Sequence, residues 1–545
     1  MRHQLRRLAA TACIAALLAL DLSCRSDSTS PEPIASVVLT PPAGAVNVGS
    51  TLALSAQALD AKGNALSGRA IAFTSSDTNM ATVSAAGVVT GVAPGAVTVT
   101  ATADTKSAQS QVTVSAVRDD WTTYGHDVRR TSASLGSVTG PLSLSWSYVP
   151  QGTTGHALNS VLSAIGTPSA VFVRTSLNSG YGYGISPAID RVSPAGQHVW
   201  TYNMGTDADF GDWASLMANR IIVNSDGTRF VDQTSGLSVH SNGVDTWGEI
   251  LTDSSTLYFA NDVQIDGPGV YAAAYDSAFK ARWTANKFTS CRGSASAMAG
   301  GLALNNGVLF YAPTYTVGKP TTVLPFASGV FAFNAASGAQ IAYHASTPYS
   351  RVSADASRVY LIENQNALVA LAQSDLHVVW SATIASPGEQ APVIANGLVI
   401  VGTSSDVEGY DASTGAKRWS SGALSGAAAH LYSTYQGGNC GSVQIPVTSG
   451  ASTTIAAALG SRTLVVTASD GVHILALASG ADLWHGRVAG IPGFAANPVI
   501  VNDPSRGAIV YVEDYGKLYA LAPPPVLAIV GSVRGTAPAG AKAKP

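Results

Sequence analysis

The chain has 545 residues, more than one ordinary domain uses, and only 12% of them are charged, about half the usual share. The formal net charge is −3, and no basic block occurs beyond the N-terminus, which excludes an electrostatic footprint for nucleic acid. Four cysteines, Cys13, Cys24, Cys291 and Cys440, form no CxxC pair, so no zinc or haem motif is present in the sequence.

The first element is a leader. Arg2, Arg6 and Arg7 precede an apolar run from Leu8 to Leu20, whose 13 residues are too few to span a bilayer. Residues 1–23 therefore read as an export signal. "DLSC" ends at Cys24 and resembles a bacterial lipoprotein box, with Asp21 where such boxes usually carry Leu. The resemblance implies that Cys24 becomes the lipidated first residue. Residues 24–33, "CRSDSTSPEP", then form a tether, and Arg25 after the cysteine points to the outer membrane rather than the inner one.

From Ile34 to Val117 the pattern is strand-like. Leu52, Leu54 and Ala56 alternate with polar neighbours, as do Val97 and Val99 with Thr98 and Thr100, and "DAKGN" at Asp60–Asn64 marks a turn. Short strands at this spacing predict a small β-sandwich. "VNVGSTLALSA", "FTSSDTNMATVSAAGVVTGVAPGAVTVTAT" and "SQVTVSAV" resemble a group 2 bacterial Ig-like (Big2) domain, a module that usually serves as a spacer or adhesive unit.

"DDWTTYGHDVRRTSAS", Asp119–Ser134, resembles the opening segment of propellers with quinoprotein-dehydrogenase-like repeats. Repeat ends follow at Trp200, His240, Trp283, Tyr343, Trp380, Trp419 and Trp484, separated by 40, 43, 60, 37, 39 and 65 residues. A period near 40 is that of a four-stranded propeller blade. "KLYALAPP" (Lys517–Pro524) lacks a following Trp strand, and "LSLSWSY" (Leu142–Tyr148) lacks a preceding blade. Joining them closes an eighth blade and removes two open edges. The expected fold is all-β: an Ig-like sandwich at 34–117, then an eight-bladed propeller at 118–523 closed by an N-terminal strand. Residues 524–545 read as a largely disordered tail.

In "YDASTGAKRW", Asp411 can bond the amides of its own turn, Gly415 supplies a positive φ, and Trp419 covers the gap to a neighbouring blade. Trp146, Trp200, Trp283, Trp380, Trp419 and Trp484 are therefore expected to dock blades, as in quinoprotein propellers, and not to bind a cofactor. Pyrroloquinoline-quinone dehydrogenases commonly carry vicinal cysteines and a calcium site, and neither motif transfers to this sequence. No cofactor is expected. Asp207, Asp209 and Asp212 in "TDADFGD" place oxygen ligands at alternate positions and are a weak candidate calcium loop.

The sequence thus favours a monomeric, non-enzymatic scaffold of the cell envelope, held to the membrane by lipid and binding envelope proteins through propeller loops. The analogy is to the propeller lipoprotein of the outer-membrane protein assembly machinery. Two alternatives remain: a quinone- or calcium-dependent oxidoreductase, and a surface adhesin or glycan binder using Tyr181 and Tyr183 in "SLNSGYGYGIS". Long intervals before Tyr343 and Trp484 place large loops on one face, where Cys291 and Cys440 are expected to form a disulfide in an oxidising compartment.

Overall fold

The computed structural model describes residues 32–522, less the segments 151–158, 179–184, 205–213, 225–227, 242–248, 261–268, 289–294, 299–300, 318–328, 425–427, 430–450 and 488–497 and the positions 93, 279, 313, 389, 469, 505 and 515. The described residues contain strands and no α-helix. They divide into two compact units, one within residues 32–114 and one taking in residues from 115 onward.

In the first unit a four-stranded sheet orders Ala43–Asn47, Lys106–Ser115, Gly95–Ala103 and Ala72–Ser75. A three-stranded sheet (Thr51–Ala53, Val88–Gly91, Ala81–Val83) and the pair Ser36–Thr40 with Ser55–Leu59 complete it. The alternation in the sequence becomes alternation in space: Val97, Val99, Ala101 and Ala103 are buried while Thr98 and Thr100 are half-exposed. Asp60 closes its turn by accepting the amides of Lys62 and Asn64, both at 2.8 Å.

The second unit is a propeller. Its described residues include eight sheets, here blades 1 to 8, each with four antiparallel strands and blade 7 with a fifth, parallel one. The innermost strands are Asn159–Thr167, Ser215–Met217, Ile250–Thr252, Leu302–Asn305, Ser353–Ala354, Val393–Ala395, Thr454–Ala458 and Val499–Asp503. The strands of blade 8 come from both ends of the repeat region. Ser143–Tyr148 is its outermost strand and pairs antiparallel with Lys517–Ala522, from Ser143 opposite Ala522 to Tyr148 opposite Leu518. The inner strand of blade 1 packs beside that of blade 8, so first and last blades are neighbours.

Blade cores follow from apolar runs on the inner three strands. In blade 7, Thr463–Ala468 is buried throughout, as a strand covered on both faces must be. The outermost strands are half-exposed and carry the tryptophans. Five of the outer-strand tryptophans pack on the turn between the third and fourth strands of the next blade. A Cβ added at Gly196, Gly236, Gly338, Gly415 or Gly480 would lie 2.4–2.6 Å from the ring of Trp146, Trp200, Trp283, Trp380 or Trp419, respectively. Trp484 meets Gly140, just before the outermost strand of blade 8, in the same way. Indole N–H groups donate to carbonyls of that next turn: Trp146 to Pro194, Trp200 to Gln233, Trp283 to Ala335 and Trp380 to Ala412, at 2.8–3.3 Å. The turns are held by Asx bonds: Asp411 Oδ1 accepts Ser413 N and Thr414 N at 2.9 and 3.0 Å, and Asp232 and Asn334 do the same.

The glycine and the tryptophan of one repeat motif therefore serve different junctions. Gly415 receives Trp380 from the blade before, and Trp419 reaches forward to Gly480. Where the outgoing residue is Tyr343, the next turn has no glycine, and Leu376 adopts the positive φ of 59°.

Trp419 and Gly480 give a clean test, because Trp419 Nε1 has no hydrogen-bond partner among the described residues and the contact is packing alone. Trp419→Ala is expected to cost about 3–5 kcal/mol. Gly480 sits at φ 68°, so Gly480→Ala adds about 1–2 kcal/mol of backbone strain to its clash with the ring. In the double variant the clash disappears and only the backbone part remains. Denaturant unfolding should therefore show a double variant more stable than the sum of the two losses; strict additivity would refute the contact.

Candidate functional site

The axis of a propeller is where ligands of this architecture are usually sought, and here the chain itself occupies it. Residues 119–136 run across the ring and bond to the inner strands one after another. Asp119 and Asn502 exchange amide–carbonyl bonds in blade 8, and Trp121 and Gly166 do so in blade 1. Carbonyls of Thr122, Val128, Arg129, Thr131 and Ser132 accept from Leu216, Leu304, Ala354, Ile394 and Ala457 in blades 2, 4, 5, 6 and 7. Ala133–Ser134 then adds a short parallel strand to blade 7.

Blade 3 is reached by a side chain. Arg130, fully buried, donates from Nη2 to Glu249 Oε1 at 2.7 Å and to Ile250 O at 3.2 Å. Its Nε donates to Leu302 O at 2.9 Å, and Nη1 donates to Thr123 Oγ1 at 2.6 Å and to Tyr124 O. Glu249 uses its second oxygen to accept Leu302 N at 2.8 Å. Arg351 stacks over the Tyr124 ring at 4.7 Å. A guanidinium is the side chain for this position, because its planar fork serves five acceptors at once.

A second buried pair lies in the same segment. His126 Nε2 is 3.0 Å from Asp119 Oδ1, and Asp119 Oδ2 accepts the amide of Leu135 at 2.7 Å. The imidazole stands edge-on to Trp121, with ring centroids 5.0 Å apart. Burial alone pushes His126 down, but the hydrogen bond and charge of Asp119 outweigh it and hold the ring above its ordinary value. Burial likewise pushes the Asp119 carboxyl up, and His126, Ser134 and Leu135 together hold it below the usual carboxylate range.

A quinone held with a calcium ion needs carboxylate oxygens free to coordinate. Glu249 is bound by the Arg130 guanidinium and by Leu302 N, and Asp119 by His126 and Leu135, so a cation at Glu249 would meet a fixed positive charge 2.7 Å from its ligand. These axial carboxylates do not fit that group.

The sequence candidates divide sharply. The six tryptophans stand at blade junctions, at the rim and away from the axial segment. Cys24, Cys291, Cys440, Asp207, Asp209, Asp212, Tyr181 and Tyr183 lie outside the described residues. Sequence reasoning noticed "YGHDVRRT" only as a resemblance and missed Arg130 as the axial group. The signal available was a basic pair inside an otherwise weakly charged chain.

The His126–Asp119 pair makes stability depend on pH. A folded value above the unfolded imidazole value of about 6.5 means that its contribution is fully present below that pH and is lost as pH rises through the raised folded value. The melting temperature, followed by calorimetry, should fall on the alkaline side of about pH 6.5. His126→Asn should flatten that limb, since Asn tolerates the φ of 78° at this position. A wild-type profile flat across this range would contradict the pairing.

Comparison with known proteins agrees with this architecture. Residues 33–114 match the family described as bacterial Ig-like domain (group 2), and residues 327–522 match the family described as Outer membrane protein assembly factor BamB. No curated protein matches the chain. Among solved structures, quinohemoprotein alcohol dehydrogenase from Comamonas testosteroni is similar at 13% identity and a TM-score of 0.51, over 74% of this chain and 80% of that one. Quinohemoprotein alcohol dehydrogenase ADHIIG from Pseudomonas putida HK5 is similar at 12% identity and 0.51, over 78% and 82%. A europium-containing methanol dehydrogenase is similar at 10% identity and 0.52, over 74% and 98%. At such identities the likeness concerns fold alone. The chain carries a group 2 bacterial Ig-like domain at its N-terminal end, followed by a PQQ-type, BamB-like repeat domain with the propeller fold.

Proposed function

We propose that this protein is a non-enzymatic binding scaffold of the cell envelope, exported, lipid-anchored at Cys24 and presenting one face of its propeller to protein partners. The observation that carries the reading is the placement of its accessory strands. In a four-stranded meander the connections between second and third strands emerge on the same face as those running from an outermost strand to the next blade. Both accessory ribbons among the described residues are built from these connections. Ala295–Met298, between blades 3 and 4, pairs with Thr314–Val317, inside blade 4. Ala428–Ala429 pairs with Ala451–Ser452, both between blades 6 and 7. Elaborated connections gathered on a rigid ring are where binding usually resides.

Two further observations support it. The axial carboxylates Glu249 and Asp119 are consumed by internal partners. The family matched by residues 327–522 is named for outer-membrane protein assembly.

Photo-crosslinking residues placed at Asn364 and Ser404, exposed in second-to-third-strand turns of blades 5 and 6, should capture the same envelope protein in cells. Ser337 and Ser413, exposed in turns on the opposite face, should not. Equal capture from both faces, or none, would defeat the reading. So would saturable binding of pyrroloquinoline quinone with calcium, accompanied by alcohol-dependent dye reduction.

The anchor has its own test. A clickable fatty acid fed to cells should label the wild type and leave Cys24→Ala unlabelled. Equal labelling of the two would remove Cys24 as the lipid site.

A further inference from the structure

The third and fourth strands of blades 1 to 7 are joined by the same irregularity, a one-residue register shift, which falls next to the Trp in blades 1, 3, 5, 6 and 7. In blade 7 it falls between Ile474 and Leu475: His473 is opposite His485, Ile474 opposite Trp484, and Leu475 opposite Asp482, with Leu483 the extra residue. Strand alternation alone would send Asp482 and His485, three residues apart, to opposite faces. The bulge returns Asp482 to the face that carries both histidines.

Three side chains consequently converge. Asp482 Oδ2 is 3.0 Å from His473 Nδ1 and 3.1 Å from His485 Nδ1. The imidazoles stack with centroids 5.4 Å apart and 27° between their planes. Behind them, Asp470 Oδ1 is 3.1 Å from His473 Nε2. His473 is buried, Asp482 and Asp470 are partly exposed, and His485 is open to solvent with 69% of its side chain exposed.

The same positions are satisfied internally in other blades. In blade 6 Glu408 and Lys417 neutralise one another. In blade 1 Asp190 accepts the hydroxyls of Thr201 and Tyr148 at 2.6 and 2.7 Å. At the corresponding positions blade 7 has His473, Asp482 and His485, without a hydroxyl or an ammonium group. Each nitrogen of His473 instead faces a carboxylate oxygen, while a neutral imidazole has only one N–H to give. The other contact is satisfied either by a second proton on the ring or by a metal ion between nitrogen and oxygen.

We infer that His473, Asp482 and His485 form a binding site for a zinc-like divalent transition-metal ion, oriented by Asp470. Two imidazole nitrogens and one carboxylate oxygen suit Zn²⁺ and its late first-row neighbours, and do not suit the all-oxygen preference of Ca²⁺. The candidate ligand atoms lie within 4.8 Å of one another. Tetrahedral ligands about 2.0–2.1 Å from an ion are themselves roughly 3.3 Å apart, so the closure required is small. With Nδ1 given to the ion, His473 keeps its proton on Nε2 and donates it to Asp470, the carboxylate–histidine–metal arrangement that fixes a ring's tautomer and aim. Three protein ligands leave a fourth position on the solvent side, beside His485, for water or a ligand from a partner.

The test uses the full chain without an affinity tag, stripped with a chelator and titrated with Zn²⁺ or Co²⁺ alone. One equivalent should bind, with the visible absorption of low-symmetry Co²⁺ and a melting temperature that rises with free metal. His485→Ala, at an exposed position, should keep the metal-free melting temperature and lose at least about 100-fold in affinity; Asp470→Asn should lose about 10–100-fold. Absence of a saturable single equivalent, or equal binding by wild type and His485→Ala, would overturn the assignment. This outcome is independent of the crosslinking result.

Discussion

Closing eight separate sheets into a ring requires that each blade hold its neighbour, because a sheet covered on one face only cannot stand alone. The indole of one blade lying on the third-to-fourth-strand turn of the next is the contact that meets this constraint at five junctions, with Trp484 against Gly140 at a sixth. It is directional: blade 6 receives Trp380 from the blade before and offers Trp419 to the blade after. The glycine is required by the approach of the ring, and the Asx bonds of the turn keep that glycine where the ring arrives. The rim therefore works as a chain of repeated, nearly identical joints, each modest alone.

The axis works differently. Residues 119–136 bond to every blade, through a set of contacts that differs from blade to blade. Arg130 and Glu249 form a buried ion pair in which every charged group also has neutral hydrogen-bond partners, the condition under which such a pair escapes a net desolvation penalty. The joints at the rim would accept a ring of several sizes. The axial segment bonds each blade differently, so it distinguishes blades that the repeated rim joints treat alike. The face bearing the accessory ribbons is left to vary without disturbing either device.

Much of this was legible in the sequence. The Trp spacing announced the blades, and the alternation of Val97 and Val99 with Thr98 and Thr100 announced the first unit. The partner of each Trp was not legible: Gly415 and Trp419 stand four residues apart and look like one device, yet serve different junctions. Arg130 was hidden because its partners, Glu249 and Leu302, are 119 and 172 residues away. The blade 7 cluster was hidden for a subtler reason. His473, Asp482 and His485 match no ligand-spacing motif, and only a one-residue bulge puts them on one side of the sheet. The shift recurs in blades 1 to 7, but the pairing that reveals it joins strands and is not written in the spacing of residues along one of them. The candidates drawn from loop composition, Asp207, Asp209 and Asp212, fall outside the described residues.

The opening segment also sets a timetable. Its first bond is to Asn502 in the last blade, and the outermost strand that follows it waits for Lys517–Ala522. A chain synthesised and threaded from its N-terminus therefore delivers the central segment first and its final partners last. Until about 380 further residues have emerged, Asp119 and Asn502 cannot meet and the ring has no end to close upon. Native contacts of such long sequence separation fold slowly, and the unfinished blades carry open strand edges while they wait. A protein built this way depends on protection of its nascent chain until the last strand arrives.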